Sequence, residues 1–269
     1  MKRVIKYITL ADLVFLVMMV CAGFLSGALS EAFMVLAYAL PFLLLVILGR
    51  EYFADPLEGI KIKKGGALLP LTLGPPTVLC VMGIAALTSL VIQTLGGNVE
   101  GIPTEPSFIY SFLLLALAPA LLEELLFRYM PMKMLLPHSG RACVWLSAVM
   151  FAAAHTSLQS IPYAFFAGVL FMVMDIAAGS VLPSVILHFI NNILSVSIAY
   201  YGAEKWFKIF VFVIFGLLIC LSLTIFIVKR KKVILEIRQA FSRGESYGNQ
   251  LTPLAFIIPC LVLAVAALA

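Results

Sequence analysis

Apolar residues run along the chain in nine stretches separated by short polar breaks, near residues 8 to 29, 32 to 49, 67 to 95, 108 to 136, 141 to 156, 161 to 178, 181 to 200, 207 to 228 and 251 to 269. About 20 apolar residues in a helix cross the hydrocarbon layer of a bilayer, so the pattern predicts an all-α, polytopic transmembrane helical bundle of eight or nine spans. Residues 1–269 then form a single integral membrane domain, with no room for a sizeable soluble one. The third and fourth stretches are long enough to tilt or kink. Gly74-Pro75-Pro76 is the break expected in the third, because two prolines remove two helix hydrogen bonds in succession. No internal repeat is visible.

Composition strengthens this picture: 63% of residues are hydrophobic and 12% charged, with a mean hydropathy of +1.13. Soluble domains carry about 45–50% apolar and roughly 25% charged residues, so a cytosolic enzyme, a secreted disulfide scaffold and a disordered tail are excluded. All five cysteines fall inside apolar stretches without CxxC or Cys/His spacing and read as buried thiols. Lys2 and Arg3 ahead of an apolar run imitate a signal peptide, but a second span follows at once and Asp12 interrupts the run, so an uncleaved first helix is expected.

The net charge of +5 could suggest nucleic acid as a partner. The basic residues instead form short clusters between apolar runs, which are topology signals. Lys2, Arg3 and Lys6 precede span one; Arg50, Lys61, Lys63 and Lys64 lie between spans two and three; Lys133 and Arg141 flank the break between four and five; Lys229-Arg230-Lys231-Lys232 follows span eight. With alternating spans these all land on one side, and only Lys205 and Lys208 oppose them. The expected arrangement is multi-pass in the cell membrane with a cytoplasmic N-terminus, and nine spans would put the C-terminus outside. A cytoplasmic basic connection is expected at 229–250. Within it, Val233, Ile234, Ile237 and Phe241 share a helical face beside basic residues, which suits a short helix lying on an anionic inner leaflet.

Charges inside a span cost about 2.5–3.5 kcal/mol each on insertion scales, so each asks for a reason. Glu123-Glu124-Leu125-Leu126-Phe127-Arg128 puts three of them in the fourth span. Glu124 and Arg128 are i,i+4 neighbours able to pair, while Glu123 is rotated by about 100° and free for chemistry. The competing reading is a structural network in which both carboxylates share Arg128. Phe151-Ala152-Ala153-Ala154-His155 ends the fifth span, and His188-Phe189-Ile190-Asn191-Asn192 sets His188 and Asn192 on one face of the seventh. A lone His or Asn in a membrane helix is commonly an interhelical hydrogen bond. Depth argues for convergence: at about 1.5 Å per residue, Glu123 lies about 20 Å, His155 about 21 Å and His188 about 12 Å from the cytoplasmic ends of their spans. A carboxylate, two imidazoles and an amide meeting there describe a polar pocket able to hold water.

The ordered set Glu-Glu-x-x-x-Arg, Phe-x-x-x-His and His-x-x-x-Asn, the last preceded by Gly179-Ser180-Val181-Leu182-Pro183, resembles the CAAX-protease and bacteriocin-processing family, also called the type II CAAX prenyl endopeptidase or Abi family. The motifs match from Leu121 to Asn192, within a family core at about 108–200. The resemblance implies a helical intramembrane glutamic endopeptidase. Glu123 would be the general base that activates water and His155 would help hold that water. His188 and Asn192 would donate to the oxyanion, and Glu124 with Arg128 would support them. The implied partners are a membrane-anchored peptide or protein substrate, prenylated or leader-type, and the lipid bilayer; nucleic acid is not expected.

No cofactor is expected. Zinc is the alternative, because a glutamate and two histidines are also a zinc-protease ligand set. Against it, the chain lacks His-Glu-x-x-His, and Asn192 is a poor zinc ligand. Two further readings compete: a non-catalytic membrane immunity or scaffold protein, and a proton-coupled transporter, for which no inverted repeat is evident. Gly244-Glu245-Ser246-Tyr247-Gly248 matches Gly-x-Ser-x-Gly by chance in a polar connection with no strand before it. Asp175, near the cytoplasmic end of span six, reads as a local cap or pair.

Overall fold

The structure, a computed structural model, describes residues 2–55, 59–99, 101–104, 107–155 and 157–244. The ninth apolar stretch with its Cys260, and residues 245–248 of the Gly-x-Ser-x-Gly run, lie outside the described residues. Among the described residues the chain folds as a helical bundle without strands, comprising α1 (Lys2–Gly23), α2 (Gly27–Leu48), α3 (Leu68–Thr94), α4 (Phe108–Met134), α5 (Gly140–Ala154), α6 (Ile161–Ala178), α7 (Leu182–Tyr201) and α8 (Lys205–Ser242). Helices α1, α3, α4, α6, α7 and α8 are long and apolar enough to cross a membrane; Ala32–Leu48 of α2 and all of α5 are shorter apolar stretches. The protein is an integral membrane protein.

The two ends of the bundle differ chemically. At one end the loop before α3 is tied to the α6–α7 turn: the Lys63 N–H donates to the Ala178 carbonyl (3.0 Å) and the Val181 N–H to the Gly59 carbonyl (2.8 Å). Gly66 permits this approach, because a Cβ there would stand 2.7 Å from the Ala178 carbonyl oxygen. Arg3 lies beside Tyr52 at the same end, and the N–H of Gly140 donates to the carbonyl of Arg243. The basic clusters therefore gather there, and only Arg128, Lys205 and Lys208 lie elsewhere. At the opposite end Tyr200 of α7 hydrogen-bonds Ser111 of α4 (3.2 Å) and donates to the Thr104 carbonyl of the α3–α4 loop.

Proline does not break α3 as the sequence suggested: the helix runs unbroken through Pro75 and Pro76. The missing Pro75 N–H would have bonded the Leu71 carbonyl four residues back, and that carbonyl instead accepts from the Ser222 hydroxyl of α8 at 3.1 Å. Gly74 meanwhile lets α7 close in, since a Cβ there would meet Leu187 at 2.8 Å. Helix α4 repeats the device. Pro131 cannot reach the Phe127 carbonyl, which accepts from the buried Ser147 hydroxyl of α5. Two stretches of α4, Phe112–Leu117 and Leu125–Tyr129, widen to π-helical turns, and each precedes a proline by two residues. Such bulges recur at functional sites.

The basic segment after span eight is also not a separate surface helix. Helix α8 continues through Lys229–Lys232 to Ser242, and the Val233–Phe241 face packs on protein: Val233 is fully buried, Ile237 and Phe241 join the core, and Phe241 lies against Trp145. Ile234 stays exposed. The apolar face that suited a leaflet packs on the bundle, with Phe241 against α5.

Asp175 behaves as the sequence indicated. Its Oδ1 accepts the Ser184 N–H at 3.0 Å, capping the first turn of α7, where Pro183 supplies no donor. Gly179, at φ +65°, turns the chain between the two helices.

Candidate active site

Four helices and one loop aim polar side chains into a single cavity of about 470 Å³, room for on the order of ten waters. Glu123 from α4, His155 at the end of α5, and His188 and Asn192 from α7 all line it. The sequence expectation that these residues converge inside the bundle is met in the geometry.

The motif Glu123-Glu124 puts adjacent carboxylates on different faces, and the structure gives them different partners. Glu124 is fully buried, with Oε2 3.2 Å from Arg128 Nε and Oε1 2.7 Å from His188 Nδ1. Arg128 is itself fully buried and sits 4.1 Å over the Phe151 ring, so its charge is met by a carboxylate and a π face. A carboxylate paired with arginine accepts hydrogen bonds and donates none. The His188 proton next to it therefore resides on Nδ1, and Nε2 is the atom directed away from Glu124.

Glu123 has no arginine. Its Oε1 accepts from the Tyr38 hydroxyl of α2 at 3.0 Å, and its Oε2 lies 3.9 Å from His188 Nε2 with no hydrogen-bond partner. The His188 ring is thus held between both carboxylates, fixed by Glu124 and facing Glu123. That oxygen is itself buried, in a residue that lines the polar cavity.

His155 closes α5 as its C-terminal cap, its Nδ1 2.9 Å from the Phe151 carbonyl one turn back, which leaves Nε2 as the remaining ring atom. Phe151 is the hub of the aromatic packing: its ring lies 4.7 Å from His155, 5.6 Å from His188 and 5.8 Å from Phe127. Asn191 donates to the Asn192 side-chain carbonyl at 3.3 Å, so the Asn192 NH₂ is the group left to donate.

Several of these contacts involve residues that sequence reasoning did not single out. Tyr38 stands in an apolar stretch among other aromatics, and only its hydrogen bond to Glu123 across 85 positions distinguishes it. Phe151 was visible as a motif position but without a role. Asn191, Ser157, Gln159, Ser160 and Tyr163 line the same cavity, the last four from the α5–α6 connection and the start of α6.

Among the described residues, no group of three or more His, Cys, Asp and Glu side chains closes to metal-holding distance. Glu123, His155 and His188 as they stand do not fit a zinc ion.

Fold and site together define an α-helical integral membrane protein with a Glu/His/Asn constellation, its Glu123 and His188 buried, around a cavity. Residues 105–194 match a family model described as Rce1-like, type II CAAX prenyl endopeptidase Rce1-like, and this segment contains all three motifs. No curated protein and no solved structure matches the chain.

Proposed function

We propose that this protein is an intramembrane endopeptidase that hydrolyses a peptide bond of a membrane-anchored peptide or protein, using water activated by Glu123. The observation that carries the reading is the unequal treatment of the two carboxylates. Glu124 is consumed by Arg128 and His188, while Glu123, with no arginine or lysine partner, lines the cavity that both histidines and Asn192 also line. The family match supports the same class of reaction.

In this reading a water between Glu123 and His155 gives its proton to Glu123 as its oxygen attacks the scissile carbonyl carbon. The carbonyl oxygen becomes an oxyanion that accepts from the Asn192 NH₂ and from His188 Nε2–H. His188 donates there with both ring nitrogens protonated, its Nδ1–H being given to Glu124. The proton on Glu123 then passes to the amine as the carbon–nitrogen bond breaks, and Glu123 returns to its starting state. One donor to such an oxyanion contributes about 2.7–4 kcal/mol in other proteases. No cofactor is required. A purely structural network is less well supported, since packing needs no polar cavity.

The test uses purified protein in liposomes with a library of membrane-anchored peptides. Cleavage by wild type that falls by about 10³-fold or more in Glu123→Gln, with the variant folded, is the expected result. Equal cleavage by both would remove Glu123 from the reaction.

A further inference from the structure

The cavity has a direction. On α7 its lining residues are His188, Asn191, Asn192, Ser195 and Val196, and none precedes His188. On α4 they are Leu115, Pro119 and Glu123, and none follows; on α6 they stop at Phe171. Beyond this layer, toward the basic end, the bundle is sealed by Phe127, Arg128, Met130 and Asp175, all essentially buried. Toward the other end the cavity continues to Gly101, Ile102 and Pro103 of the α3–α4 loop, which carries no lysine or arginine. Helix α5 reinforces the polarity of the site. Its 15 residues span about 22 Å, short of the ~30 Å hydrocarbon layer, which puts Ser157, Gln159 and Ser160 within the depth of that layer. Non-helical backbone at that depth is tolerated where it lines a water-filled cavity, and Ser157, Gln159 and Ser160 do so.

Lysine and arginine cluster on the cytoplasmic side of membrane proteins. We propose that the site opens to the non-cytoplasmic face, and that its substrate is a membrane-anchored peptide whose scissile bond lies on that face, such as an exported leader or the outer flank of a single-span protein. A prenylated cytosolic C-terminus, by contrast, would arrive at the sealed, basic end. The substrate side rests on the endopeptidase reading; the direction of the opening does not.

The experiment separates the two. In a variant with the native cysteines replaced, Ile102→Cys, Ser195→Cys and Lys64→Cys are exposed singly to a membrane-impermeant maleimide in intact and in permeabilised cells. Labelling of Ile102→Cys and Ser195→Cys in intact cells, with Lys64→Cys reacting at least tenfold more after permeabilisation, is expected; the reverse pattern overturns the proposal. An epitope tag inserted after Gly97 of the otherwise wild-type chain gives the same readout should the cysteine-free variant not fold: antibody binding to intact cells supports the proposal, and binding only after permeabilisation overturns it. Two libraries of single-span reporters, with randomised segments just outside the membrane on one face or the other, then test the substrate. Cleavage confined to the non-cytoplasmic library supports the proposal, and cleavage confined to the cytoplasmic one overturns it. Cleavage in neither, with labelling from outside, supports the direction of the opening and counts against the endopeptidase reading.

Discussion

His188 Nδ1 lies 2.7 Å from Glu124 Oε1, while the other oxygen of the same carboxylate lies 3.2 Å from Arg128 Nε. One residue of the Glu-Glu pair thus fixes both the tautomer of His188 and the charge of a buried guanidinium. Removing one member of a buried ion pair leaves the other uncompensated, at a cost of about 3–5 kcal/mol. Arg128→Met is therefore expected to lower unfolding stability by about that amount, and the double variant Glu124→Gln/Arg128→Met to recover part of it. Unfolding in detergent, followed by tryptophan fluorescence, measures this; equal stability of Arg128→Met and wild type would contradict the pairing.

Tyr38 holds Glu123 from α2, outside the residues that line the cavity. It is a positioning residue: its hydroxyl donates to Oε1 and leaves Oε2 toward His188. A hydrogen bond to a charged group contributes about 1.5–3 kcal/mol. Tyr38→Phe keeps the ring packing against Phe15 and Phe127 and is expected to lower kcat by about tenfold or more while leaving KM near wild type. Steady-state kinetics on any reporter cleaved by wild type distinguish this from a packing defect, which would lower the folded fraction rather than split kcat from KM.

The two serine–carbonyl contacts next to prolines make a separable claim about folding. Intramembrane hydrogen bonds average about 0.6 kcal/mol and reach about 1.7. Ser147→Ala and Ser222→Ala are each expected to destabilise within that range. Pro131→Ala restores the N–H that could satisfy Phe127, so Ser147→Ala should cost less in the Pro131→Ala background. Additive losses would show that the serine does not replace the proline's missing donor.

Metal dependence is testable without reference to ligand geometry. A preparation stripped by chelator and assayed in metal-free buffer is expected to cleave its reporter at the untreated rate. A loss restored by zinc alone would replace the glutamate–water account with a metal-centred one.

Much of this architecture was legible in the chain because lipid enforces simple rules. Apolar length gave the spans, and the lysine and arginine clusters gave a consistent polarity that the fold gathers at one end. Glu123, Glu124, Arg128, His155, His188 and Asn192 stood out because charges and imidazoles are costly among apolar residues. Tyr38 did not, since a tyrosine in an apolar run is unremarkable until its hydroxyl finds a partner in another helix. Pro75 and Pro76 misled for a related reason: the Leu71 carbonyl freed by Pro75 is met by Ser222, 151 positions away, and local sequence carries no sign of that. The Val233–Phe241 face shows the same limit. Its periodicity announced an apolar surface, but whether lipid or α5 would cover it depended on tertiary packing.

The central claim is that Glu123 performs peptide hydrolysis, and the most direct measurement compares the peptide termini in membrane fractions from cells with wild-type protein and cells with Glu123→Gln at equal expression. The account expects new termini only with wild type, sharing a cleavage sequence close to a membrane anchor. Identical termini, with the deletion phenotype rescued by both versions, would contradict it and leave the buried glutamate as a part of the helix packing.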